Sequence, residues 1–294
     1  MPIRDVGYKP YEGELLPAHT RYKVLIKRTL SIAWSSGLTK TVVILGMFPM
    51  IVCGVMVFLK AKALSYLAQR AQGASSGAIV EQVGDPGAYV FYCGYWCQIW
   101  FVFSMSLLMA APAIAEDVRT GAFQFYFSRP LSRTHYVGGK LVSVGIMILL
   151  LTAVPMVLLS LLWIGMSPTG EQAAQNLRWL LGSAIYAPIY AAAVALPPIA
   201  MSSLGRRSGN IMGLWATFFF ATWILGESIA TAVDVPYLVL LSIPTNLRIL
   251  GQHLFGMEPA YGLPWYLPAA ALGLFIAGSL VVVLRRLERV EVFA

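Results

Sequence analysis

Charge is what this sequence has least of. Asp, Glu, Lys and Arg make up 12% of its residues, about half the roughly 25% usual for soluble domains. Histidine is scarcer still, with three residues. His19, His135 and His253 stand far apart, so no H-E-x-x-H motif exists, and all three are expected at the surface, His135 without a partner. Cysteine is limited to Cys53, Cys93 and Cys97, all inside apolar runs. Cys93 and Cys97 are spaced for one helical face, but no histidine or carboxylate lies near them in sequence to complete a metal site. They read as small buried apolar residues rather than ligands or a disulfide. There is no G-x-G-x-x-G. The Gly139-Lys140 pair is followed by Leu141 and has Thr134, not glycine, five residues before it. It therefore cannot form the loop whose backbone amides cradle phosphate. Any ATP-driven work by this chain needs an ATPase on another chain. The first 40 residues hold no roughly 7–15-residue apolar core ahead of a cleavage site, so no signal peptide is expected.

What the sequence does have is hydrophobic length. Hydrophobic residues make up 58% of it, and six apolar stretches are near or above the ~20 residues that a helix needs to cross a bilayer. The spans are expected at residues 41–59, 89–115, 141–166, 179–204, 210–232 and within 259–284. The fold class is thus an all-α membrane protein with six transmembrane helices, and residues 1–294 form a single transmembrane domain. Residues 17–36 carry Tyr22, Ile26, Leu30 and Ala33 at helical spacing with basic residues on other faces, the pattern of an interfacial helix. Residues 60–85 and 167–178 read as external loops, the first with a helical extension of span one through Arg70 as an alternative. Gly209, Gly213, Thr217 and Ala221 recur every four residues, a small-residue stripe suited to close helix packing.

Net charge is +8, but the basic residues flank apolar runs instead of forming one face, so membrane surface and not nucleic acid is the expected partner. Of the 21 Lys and Arg, sixteen fall on the side of both termini and five on the other. Basic residues accumulate on the cytoplasmic side, which puts both termini there.

The stretch at residues 116–140, EDVRTGAFQFYFSRPLSRTHYVGGK, separates two charge-free runs of 30 residues each. Its acidic start suits a helix N-terminus, and Pro130 disfavours helix at Arg129. A short helix over 117–127, with Phe123 and Phe127 exposed, is therefore expected to project into the cytoplasm. Glu116, Arg119 and Gly121, then Ser128-Arg129-Pro130-Leu131-Ser132-Arg133, then Gly139-Lys140, resemble the signature of type-2 ABC exporter permeases; Gln124 departs from it, where glutamate often follows the glycine. The resemblance implies a coupling helix at 116–128 that docks on a separate ATPase subunit through Glu116, Asp117, Arg119, Gly121, Phe123, Phe127, Arg129 and Arg133. It also implies two ATPase copies carrying ATP and Mg, a second permease copy as homodimer or heterodimer, and a bacterial inner membrane. No cofactor is expected in this chain itself.

Polar groups inside the spans are few, and such groups are costly and often functional. Glu227 is the lone charge of residues 208–231, and it either lines a translocation path or reaches the outer interface. The aromatics Tyr95 and Trp100 of the second span are further candidates for that path. Residues 235–255 are apolar but broken by Pro236 and Pro244, too short to span. They are expected to form an external re-entrant segment of short helices before the last span, split at Pro244 and Thr245, gating the path with Glu227 and Asp234 beside it. Aromatic-rich spans suit an amphipathic, lipid-like or drug-like cargo. The other class that fits is an intramembrane enzyme or assembly factor, which requires convergent intramembrane polar groups.

Overall fold

The apolar runs fold as helices because no other open backbone arrangement satisfies its own amides out of water. The computed structural model describes residues 21–70, 88–122, 132–167 and 169–288, and among these there is no strand. The helices are α1 Arg21–Ser35, α2 Gly37–Arg70, α3 Ala88–Arg119, α4 Arg133–Gly165, α5 Gly170–Leu204, α6 Ser208–Val233, α7 Ile243–Leu254 and α8 Tyr266–Glu288. Six of them (α2 to α6 and α8) are long and apolar enough to cross a membrane, and the chain is a multi-pass membrane protein. α1 and the short α7 are the additional elements expected on either side of the bundle.

Several boundaries differ from expectation, each for a local reason. α4 begins at Arg133, eight residues early, because Ser132 caps it, accepting the His135 amide at 3.2 Å. α5 begins at Gly170, inside the expected loop, because Thr169 accepts the Gln172 amide at 3.3 Å and Glu171 sits in the first turn. Such caps satisfy amides that a helix start leaves bare. α2, by contrast, runs on to Arg70, the extension of the first span that the sequence allowed. His135 is not without a partner: its Nδ1 lies 2.6 Å from Ser132 Oγ, and its ring stacks on Tyr22 of α1.

The core sits between α3, α4 and α5. In the most apolar stretch of α5, 61% is buried, against 11% for α6, so α6 is a peripheral helix. Most of its small-residue stripe is not covered by the described residues. Gly209, Gly213 and Thr217 are exposed, and nothing approaches the position of a Cβ at either glycine. The expected packing seam is instead an uncovered face.

α3 is the irregular element. Two π-helical turns, Cys93–Cys97 and Ser106–Ala110, interrupt it, and a turn at 111–114 around Pro112 precedes its last helical segment, Ala115–Arg119. The turn takes the Ile114 and Ala115 amides out of the helical ladder, and Ser202 of α5 supplies their acceptor. Its Oγ takes the amides of Ile114 at 3.0 Å and Ala115 at 2.9 Å. The first π turn sets Cys93 and Cys97 beside Cys53 of α2 as free thiols. The second sets Ser106, whose Oγ accepts the Trp215 indole N–H at 2.8 Å. Ser202→Ala leaves two buried amides unpaired, each an expected loss of about 1–3 kcal/mol. A lowered melting temperature of the purified variant, with its helix content unchanged at low temperature, checks this.

Candidate functional site

Two polar constellations lie at opposite ends of α3, roughly 30 Å apart at 1.5 Å per residue. The first closes the connector between α3 and α4. Asp117 lies in the last turn of α3, 2.7 Å from Lys140 Nζ, with the side chains only 13% and 10% exposed. The Tyr136 hydroxyl donates to Asp117 Oδ2 at 2.5 Å, and Lys140 lies over the Tyr136 ring. The clamp joins residue 117 to residues 136 and 140, so the ends of the intervening segment are held together. Glu116 and Arg119 pair beside it at the surface, where such pairs carry little stability. Among the described residues Arg119 pairs with Glu116 alone, which leaves Asp117 to the clamp.

This corrects the expected start of the short helix. Residues 116–119 are not its first turn but the end of α3, and the chain turns at Thr120 and at Gly121 with φ +68. Glycine adopts that left-handed geometry without a Cβ penalty. Phe123, Phe127 and Arg129, on which the docking expectation rests, lie outside the described residues, and of Arg133 only the backbone is described, as the first residue of α4.

The second constellation is organised by α7. A 3-10 helix, Pro236–Leu241, precedes it, and the break falls at Ser242 instead of at Pro244 and Thr245. Ser242 caps α7, accepting the Thr245 amide, while Pro244 occupies the first turn, where its lacking N–H is harmless. At 12 residues α7 is about 18 Å long, too short to span. Protein covers most of it: Ile243 through Leu247 and Ile249 through Gln252 are buried. Two tyrosines hold it from below, Tyr95 of α3 donating to Pro244 O at 2.9 Å and Tyr186 of α5 to Leu247 O at 3.0 Å. Gly251 lies against the Phe91 and Tyr186 rings, where a Cβ has no room.

Glu227 of α6 faces α7. Its Oε1 accepts the Thr245 hydroxyl at 3.1 Å and lies 3.9 Å from Arg248 Nη1. The Arg248 guanidinium stacks over Trp96, 4.9 Å from the ring centroid, and its Nε is buried without a partner among the described residues. Below the pair, Trp100 packs on Phe220 and Trp223 of α6, each 5.9 Å away, and remains 54% exposed. The result is an aromatic wall between α3 and α6 topped by a loosely closed ion pair. Nearby, burial and the Glu227 charge push the Tyr261 phenol above its usual range, so it stays protonated.

Of the residues read as path or gate, Glu227, Tyr95 and Pro244 meet at α7, and Trp100 lies on the adjoining wall. Asp234 does not join them. It is the exposed C-cap of α6 at φ 56, a left-handed position that Asp tolerates. Sequence reasoning missed Arg248, Thr245 and Trp96. Arg248 was open to detection as the one cation between Arg207 and Arg285. No protein-family model matches this chain, and neither does any curated protein sequence.

Proposed function

We propose that this chain is the membrane permease subunit of an ATP-driven type-2 ABC exporter, moving an amphipathic, lipid-like or drug-like substrate. The observation that carries the reading is the clamp of Asp117, Tyr136 and Lys140. It holds both ends of the segment that resembles the family's coupling helix, so a force applied to that segment is delivered to α3 and α4 together. The basic-residue bias supports placing this end, with both termini, in the cytoplasm of a bacterial inner membrane. The ATPase, with its ATP and Mg, is a separate subunit present twice. The uncovered small-residue face of α6 supports pairing with a second permease copy.

At the other end, α7 acts as the outer gate. It is anchored through the hydroxyls of Tyr95 and Tyr186 and through the long Glu227–Arg248 pair. The charged pair and the aromatic wall below it suit a cargo with a polar head and an apolar body.

Expression of the full chain with its genomic neighbours tests the reading. A subunit with a P-loop is expected to copurify, and Phe123→Ala is expected to weaken its binding by roughly 2 kcal/mol, the cost of truncating an aromatic anchor. Recovery of the chain with no ATPase, from cells that express all its neighbours, favours the intramembrane enzyme or assembly factor instead.

A further inference from the structure

α1 is fixed to the base of α4. Leu25 fills the space left by Gly139, and Tyr22 stacks on His135. Beside these contacts lies an open groove of about 530 Å³, lined by Ile26 and Leu30 of α1 and Met147 of α4, with Lys23 and Lys27 on its rim. That volume is in the ~300–1,000 Å³ range of small-molecule sites. Lys23 and Lys27 are one helical turn apart, so both ammonium groups stand on the same side. Both are exposed, and no acidic side chain among the described residues pairs with them. Trp34 also lines the groove, 48% exposed, next to the start of α2 across a break at Ser36.

We propose that this groove seats one acidic phospholipid, its acyl chain on Ile26, Leu30 and Met147 and its phosphate between Lys23 and Lys27. Charge selects the headgroup: two adjacent unpaired cations favour a net negative lipid over a zwitterionic one, whose choline they repel. The apolar floor selects a lipid over a free anion. The bound lipid bridges α1 and α4 about two turns from the Lys140 clamp. This site rests on the multi-pass membrane character of the chain and not on its having an ATPase partner.

Native mass spectrometry of the purified, delipidated full chain tests it, with equimolar dioleoyl phosphatidylglycerol and dioleoyl phosphatidylcholine added back. The first bound lipid is expected to be phosphatidylglycerol, by roughly tenfold. Lys23→Gln with Lys27→Gln is expected to bring the ratio near one. Arg285→Gln with Arg286→Gln, which removes equal charge elsewhere, is expected to leave it unchanged. Ser31→Trp, which fills the groove and keeps both lysines, is expected to lower retention of the first lipid. Equal binding of the two lipids by the unsubstituted chain overturns the site. So does a preference that survives the double lysine variant, or one lost to the same degree in the arginine control, which marks diffuse surface charge.

Discussion

Asp117→Asn is expected to destabilise the membrane domain by about 3 kcal/mol, the lower range for breaking a buried ion pair by removing one partner. The side chains of Asp117 and Lys140 are almost fully covered and their charged atoms lie 2.7 Å apart. Asparagine keeps the shape but leaves the ammonium of Lys140 unneutralised in a place that water barely reaches. It also weakens the acceptor of the Tyr136 hydroxyl. Combining Asp117→Asn with Lys140→Met removes the orphaned charge and is expected to restore most of the lost stability. The ends of the connector remain unclamped in that double variant, so ATP hydrolysis is expected to continue without transport. Thermal unfolding in detergent measures the first effect, and ATP turned over per molecule moved measures the second. A single variant within 0.5 kcal/mol of the parent, the usual range of surface substitutions, would show that the pair holds nothing together.

Arg248→Met is expected to have the larger functional effect and the smaller structural one. The pair it breaks is long, at 3.9 Å, and each side chain is close to a third exposed. Discounted for solvent, the stability loss is roughly 1 kcal/mol. What is lost with it is the cation over Trp96 and the charged link from α7 to α6, leaving the Thr245–Glu227 hydrogen bond. Movement of a fluorescent short-chain phospholipid across proteoliposomes is expected to fall at least tenfold, about 1.4 kcal/mol in barrier. Exchanging the charges, Glu227→Arg with Arg248→Glu, restores the pair but not the stacking, so stability is expected to recover without transport. Wild-type transport by Arg248→Met removes α7 from the account as a gate and leaves it a structural cap.

Span number, the extra amino-terminal helix and the paired short helices before the last span were legible because hydropathy and proline placement are local properties. Helix starts were not. Ser132 and Thr169 extend α4 and α5 by capping, a single-residue effect that a long apolar run conceals. The clamp was half visible. Lys140 stood in the quoted motif, but its pairing with Asp117 depends on how the intervening segment closes, which spacing alone does not fix. Ser202 was illegible for a similar reason, since it completes a helix 88 residues away in sequence. Glu227 announced itself as a lone acid, whereas Arg248 looked like an ordinary loop cation until α7 turned it onto Trp96. The glycine stripe of α6 shows the converse. A pattern that permits close packing does not say which surface it packs on, and the described residues leave that surface uncovered.

A photo-crosslinking amino acid at Phe123 tests the central claim most directly, with adducts from intact cells identified by mass spectrometry. The account expects one dominant adduct, a chain carrying a P-loop, abolished by Phe127→Ala in the same background. A dominant adduct with a protein that has no nucleotide-binding motif, or the same yield of the P-loop adduct from a crosslinker at Ser75, contradicts it.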